Sequence, residues 1–388
     1  MNAAAAPRRA GTFERAVVDQ LLERGPLDRP TLASLVGISR PSAGELVSRL
    51  VATGLLEARG EVATGRRGPN STLYALRHGV ARVAGVELQP EGAWCRVADL
   101  DGTVLAGVGR RARPDDTPER LARRVVRAAA KQAGTTADAL DRVTVAAPGV
   151  VGPDGEMRYV EGHPGWSQGL RARLADALEL PTRLENDVKL AALAEQHGGA
   201  AEGVGSFVLL RLAESVSAAV VLEGRLLRGS GGAAGEIGYL PAWSTEVGGF
   251  GAPHLHEFLG ARALSALLGD DADGASGGAG VQHPSRADDL RELVRRTAVA
   301  VVSCCAVVDP ELVVVTGASV RAAGAEFPAL LEAVVHEATP FRPRVRRSAL
   351  DTDDVTPATV GALSSALLEA RDATYGVGPA YQPASSPL

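Results

Sequence analysis

Between Phe13 and Glu23 the apolar residues Phe13, Ala16, Val17 and Leu21, with Val18 and Leu22 beside them, recur every three to four positions, which predicts a helix. A second helix follows Pro30, which suits a first helical position, and carries Leu32, Ala33, Leu35 and Val36 as far as Gly37. Ser39 then offers a cap to a third helix through Pro41, Leu46, Val47, Leu50 and Val51. Two strands follow, 55–59 and 71–76, joined by a stretch with the glycine-bounded tip Gly65-Arg66-Arg67-Gly68-Pro69. Beyond residue 80 the pattern changes to strands alternating with helices. Strands are expected at 83–88, 93–99, 103–105, 143–147, 206–212, 216–222 and 225–228, and helices at 118–133, 170–180, 290–308 and 358–370. This alternation indicates an α/β body.

One stretch of that body carries unusual chemistry. Pro181 to Asn186 reads as a short strand running straight into a helix that is apolar on nearly every side from Val188 to Ala194, apart from Lys189. Asn186-Asp187 therefore stands at the mouth of a buried helix. The partial positive charge there favours an ionised carboxylate, as a group that binds or deprotonates a hydroxyl needs. An ordinary N-cap is the competing explanation.

With 388 residues, of which 45% are hydrophobic, the chain is long enough for two or three domains with real cores. No run of about 18 apolar residues occurs and the first residues lack a signal-peptide pattern, so no membrane partner and a cytoplasmic location are expected. Cys95, Cys304 and Cys305 have neither disulfide nor zinc-ligand spacing and read as buried small hydrophobes.

Charge separates the two regions. The net charge is −5, yet residues 1–80 hold eleven Arg against seven Asp and Glu, a net +4, which leaves −9 on the remainder. A basic end on an acidic body suits a module that meets DNA. Helix, turn, helix and basic hairpin, in that order, read as a winged helix-turn-helix over 1–80. Its third helix would enter the major groove with Ser39, Arg40, Ser42 and Ala43 facing bases. Arg49 would lie nearer the backbone, and Arg66 and Arg67 would reach phosphates or the minor groove from the wing.

The body carries a series of segments in fixed order: Ala147-Pro148-Gly149-Val150-Val151, Pro164-Gly165-Trp166, Leu184-Glu185-Asn186-Asp187, Ala234-Gly235-Glu236-Ile237-Gly238, and Asp309-Pro310-Glu311 before Val313-Val314-Val315-Thr316-Gly317. Over nearly all of 81–375 this resembles the ROK family of repressors and sugar kinases, whose regulators carry a winged helix-turn-helix in front. The resemblance implies a two-lobed, actin-like (ribonuclease H-like) body. The first lobe would take 81–187, completed by 351–375, and the second 188–350 with a mobile loop at 269–285, before a disordered tail at 376–388. It also implies a sugar effector, operator DNA as partner, and a homodimer or homotetramer.

By that resemblance Asn186 is a sugar-hydroxyl ligand, Asp187 the position of the kinases' catalytic base, and Glu236 a second sugar ligand; Glu257 falls one residue short of the third acidic ligand. Tyr239 stands where the family has His. The cysteine-rich zinc knuckle is replaced by Val247 to His254, so no metal is expected, and His254 and His256 read as loop histidines. The two phosphate loops are replaced by Glu87-Leu88-Gln89-Pro90-Glu91-Gly92 and Ala213-Glu214-Ser215-Val216-Ser217. Pro90 removes an N–H that a phosphate cradle needs, and at 4 Å like charges repel by roughly 4 kcal/mol at an effective dielectric of 20. The expected protein is thus a sugar-sensing transcriptional regulator, a repressor by type, with no cofactor and no catalysis. The alternatives are an ATP-dependent sugar kinase and a ligand-free regulator whose body serves only for oligomerisation.

Overall fold

A computed structural model describes residues 12–62, 70–160, 163–167, 169–213, 215–241, 254–260, 286–352 and 355–375. The wing tip with Arg66 and Arg67, Glu214, most of the former knuckle, the loop 269–285 and the tail 376–388 lie outside them. The first module comprises α1 (Thr12–Arg24), β1 (Leu27–Asp28), α2 (Arg29–Val36), α3 (Arg40–Ala52), β2 (Leu56–Val62) and β3 (Ser71–Leu76). Local chemistry sets each boundary. The Asp28 side chain accepts the Thr31 N–H at 2.9 Å, Pro30 opens α2, and Gly37 closes it in the left-handed region at φ 74°. Ser39 accepts from the Ser42 N–H and caps α3. The sequence pattern missed β1, a two-residue strand that adds to β3 and makes the wing a sheet of order β1-β3-β2.

The body continues with β4 (Arg82–Gln89), β5 (Gly92–Asp99), β6 (Val104–Arg111), α4 (Pro118–Gln132), β7 (Arg142–Ala147), β8 (Val150–Val151), β9 (Met157–Tyr159), α5 (Leu170–Leu178), β10 (Thr182–Asn186) and α6 (Asp187–Gly198). It then runs through β11 (Phe207–Leu212), β12 (Val216–Leu222), β13 (Arg225–Leu226), α7 (Leu255–Leu259), α8 (Arg286–Val308), β14 (Leu312–Thr316), α9 (Ala318–Ala323), α10 (Phe327–Ala338), β15 (Arg344–Arg347) and α11 (Pro357–Tyr375). The sheets β10-β7-β4-β5-β6 and β13-β12-β11-β14-β15 repeat one order: three strands as a meander, then two added beyond the first. In the second sheet the meander is antiparallel, while β11, β14 and β15 run parallel. No helix among the described residues is long and apolar enough to cross a membrane.

Two compact units divide the chain: Met1–Val145 with Ala172–Arg183 and Ala362–Leu388, and Ala146–Arg171 with Leu184–Gly361. They cut it at places other than the module boundaries expected at 80, 187 and 350, because the chain leaves the first unit part-way along β7 and β10. In the first unit the N-terminal residues Val17, Leu32, Val47, Leu50 and Leu76 share one core with Val83, Ala98 and Leu100 of the sheet and Leu363, Ala366 and Leu367 of α11. In the second, α7, α8, α9 and α10 pack on β11, β14 and β15 through residues such as Leu255, Val301, Phe327 and Val345.

Gly85 marks the closest approach in the first unit: a Cβ there would lie 2.2 Å from the Leu363 backbone nitrogen. Gly85→Ala is therefore expected to lower stability by about 1–3 kcal/mol in urea unfolding, as overpacked cores do. Gly44, inside α3, has nothing within 4 Å of the place a Cβ would take, so the sign reverses there, and Gly44→Ala should raise stability by about 0.5–1 kcal/mol.

Candidate functional site

The candidate ligand site is built where β10 turns into α6. Asn186 is the cap of α6: its Oδ1 accepts the Lys189 N–H at 2.9 Å, and its Nδ2 donates to the Gly149 carbonyl at 2.9 Å. The capping reading of this position is thus correct for Asn186, whose amide is held at both ends. Asp187 is a first-turn residue whose Oδ1 accepts the Val188 N–H at 2.8 Å, while Oδ2 takes a charge-assisted hydrogen bond from Arg211 near the end of β11. The Asp187 side chain is 3% exposed and that of Arg211 21%.

Four further charges lie around this pair. Glu185 is buried, accepts the Asn186 N–H on one oxygen, and pairs with Arg228 at 2.9 Å on the other. Lys189 is buried and donates its ammonium hydrogen to the Gly232 carbonyl. That carbonyl is presented by a loop turning through Gly232 at φ 86°, where a Cβ would stand 2.0 Å from the Val151 carbonyl oxygen. Burial pushes the Lys189 amine below its ordinary value of 10.5; the charges of Glu185, Glu236 and Asp187 act against that fall and Arg228 adds to it. Glu236 is half-buried at the entrance of the turn Ile237–Tyr239.

Tyr239 is 40% exposed, with its ring edge-on to His256 at 5.2 Å and tilted against Tyr159 at 6.5 Å. His256 is structural: its Nδ1 accepts the Val216 N–H at 3.3 Å, and its ring occupies the space where any side chain at Gly238 would project. Glu257 is exposed on α7, next in sequence to His256. No group of three or more His, Cys, Asp and Glu suited to a metal occurs among the described residues. Sequence reasoning singled out Asn186 and the acids Asp187 and Glu236 but missed the cations Lys189, Arg211 and Arg228. Lys189 was visible as the one charge on an apolar helix; nothing local marks Arg211, in an ordinary strand pattern.

Of the first replaced phosphate loop, Gln89 pairs with Gly92 across a tight β4–β5 turn at Pro90-Glu91. Glu87 and Gln89 are buried, and Gln89 donates to Glu87 at 3.2 Å. In the N-terminal module Ser39, Arg40 and Ser42 are exposed at the start of α3, and Ser39 Oγ lies 2.8 Å from Ser42 Oγ. Ala43 does not face outward as expected. It is wholly buried, because Ala43, Leu46, Val47 and Leu50 form the apolar stripe that packs α3 on its neighbours. Glu45 and Ser48 lie outside that stripe. Arg49 is exposed but pairs with Glu14 of α1 at 2.7 Å.

These features define an actin-like α/β body behind a winged helix-turn-helix. The model of the ROK family matches residues 83–366, and the chain belongs to the ROK family. It is 27% identical over 231 residues to the DNA-binding transcriptional dual regulator NagC of Escherichia coli K12, a match covering 58% of this chain and 56% of that one. The chain thus aligns with about half the length of that curated relative. Among solved structures it is similar to a ROK family transcriptional regulator described as a homolog of the E. coli MLC protein, with a TM-score of 0.65, 18% identity, and 93% and 96% of the two chains covered. It is also similar to the ROK hexokinase from Thermus thermophilus, at TM-score 0.58, 25% identity, and 75% and 99% coverage.

Two measurements test the charge arrangement. Removing Arg211 leaves a buried carboxylate without its guanidinium, so Arg211→Met should cost about 3 kcal/mol in urea unfolding, and the double variant Asp187→Asn/Arg211→Gln should cost less. Lys189 has a lower pKa folded than unfolded, so between those values the unfolded chain binds more protons and stability rises with pH towards 10.5. That rise should be missing from Lys189→Met when unfolding midpoints are compared between pH 7 and 10.

Proposed function

We propose that this protein is a DNA-binding transcriptional regulator, a repressor by type, whose body senses a sugar or sugar derivative and does not phosphorylate it. The observation that carries this reading is a capped helix, turn and helix followed by a three-stranded wing sheet, standing directly ahead of a ROK body. Residues 1–80 are the DNA module, 81–187 with 351–375 the first lobe, and 188–350 the second. Ser39, Arg40 and Ser42 lead α3 into the major groove, and Arg66 and Arg67 contact phosphates from the wing. Arg49 joins the backbone contacts once it leaves Glu14. The protein acts in the cytoplasm as a homodimer or homotetramer on operator DNA. The regulator named NagC supports this reading, as does the fold shared with the MLC homolog.

Asn186, Asp187, Glu236, Tyr239 and Glu257 form the ligand surface. The effector works by binding one conformation more tightly than the other, since equal affinity for both would shift nothing. The kinase reading draws on the hexokinase relative. Against it stand the closed hairpin at Pro90-Glu91 and the ion pair on Asp187: a carboxylate engaged by a guanidinium is a poor base for a sugar hydroxyl.

Gel-shift titration across salt tests the DNA module. Arg66→Ala with Arg67→Ala should weaken binding to all sequences and flatten the log–log salt slope by about 0.9 per lost phosphate contact, whereas Arg40→Ala should change sequence preference. Unchanged affinity and sequence preference in both variants sinks the DNA assignment. Thermal shift with a panel of sugars and sugar derivatives tests the sensor. It fails if none raises the melting temperature. ATP-dependent sugar phosphorylation that disappears in Asp187→Ala would restore the kinase reading.

A further inference from the structure

The apolar stripe of α3 fixes which side of that helix faces outward. Ala43, Leu46, Val47 and Leu50 are buried, and at about 3.6 residues per turn Pro41, Glu45 and Ser48 fall on the opposite side, with Gly44 beside them. Pro41, Glu45 and Ser48 are exposed. Two residues of this side have no role inside the fold. Glycine is a poor helix former, the φ of Gly44 is not positive, and no atom lies within 4 Å of the place a Cβ would take, so neither backbone nor packing requires glycine there. What the missing Cβ allows is close approach from outside. The second residue is Glu45. Its helical partner one turn on is Arg49, yet that guanidinium is engaged by Glu14 of α1 at 2.7 Å. No ion pair or hydrogen bond holds the Glu45 side chain among the described residues. Ser48, by contrast, accepts a hydrogen bond from Arg29 at 3.1 Å.

We propose that Glu45 is a base-reading residue that accepts the exocyclic amine of a cytosine in the major groove, and that Gly44 lets the groove come close to the α3 backbone. This rests on the reading of the first 80 residues as a DNA module. A carboxylate on the outward side of a recognition helix is repelled by phosphates, so it disfavours DNA at large and is tolerated best where a base offers it a donor. In the major groove cytosine presents its N4 amine alone. Adenine sets the N7 acceptor beside its amine, guanine presents two acceptors, and thymine an acceptor and a methyl group. Cytosine is therefore the base that a carboxylate selects. Gly44 directly precedes Glu45, so its missing side chain clears the space that a contact between that carboxylate and a base edge needs.

The test is selection of binding sites by the full chain from a random double-stranded DNA library, followed by gel-shift titration of the selected site at fixed salt. That site is expected to contain a cytosine whose replacement by thymine weakens wild-type binding about tenfold. Glu45→Ala should abolish this discrimination. Glu45→Gln should shift the selected base to adenine, which an amide engages through both N6 and N7. Gly44→Ala, although more stable, should bind the selected site about tenfold more weakly. A site without a cytosine preference, the wild-type discrimination retained in both Glu45 variants, or undiminished affinity in Gly44→Ala overturns this proposal and leaves the DNA reading standing. If wild type binds no DNA at all, the proposal fails with the DNA reading.

Discussion

Buried charge around α6 is the constraint that the second unit is built to satisfy. Glu185, Asp187, Lys189 and Glu195 are all buried within eleven residues of sequence, and an ionised group out of water is costly unless paired and hydrogen-bonded. Each draws its partner from a distant segment. Glu185 takes Arg228, Asp187 takes Arg211, Lys189 takes the Gly232 carbonyl, and Glu195 takes the Ser348 hydroxyl. Strand β11, the loop after β13 and the segment after β15 are therefore tied to one helix by polar contacts as well as by packing.

The first unit depends on apolar continuity instead. Among the described residues the N-terminal module shares its core: its helices and wing pack on β4, β5 and α11 as one cluster, and Arg15 of α1 pairs with Asp372 of α11 at 3.0 Å. Helix α11 itself begins in the second unit, where Gly361 lies against the Leu190 carbonyl of α6, and ends in the first beside α1. Its small residues are a condition of both approaches, since Gly361 lets backbone meet backbone and Ala362 and Leu363 are met by Gly85.

Periodicity alone was enough for the long elements. The helix over 13–23, the capped helices at Pro30 and Ser39, the strands of the first sheet and the long helix ending at Val308 all show their stripe or alternation within a dozen residues. The strand β1 was not legible, because two residues carry no period. Ala43 was misassigned for a related reason. Position near the front of a recognition helix suggests base contact, but the stripe of Ala43, Leu46, Val47 and Leu50 turns it inward.

The sequence by itself determined the order of the elements, the caps, the basic character of the first 80 residues and the carboxylates Glu185 and Asp187 where β10 meets α6, since each is set by neighbours within a few positions. Only the tertiary structure decided what those acids face. Arg211 lies 24 residues beyond Asp187 and Arg228 43 beyond Glu185, and an ion pair across that distance depends on strand register in three dimensions. The charge of the site, which separates a surface for neutral hydroxyls from one holding its own cations, is therefore a property of the fold.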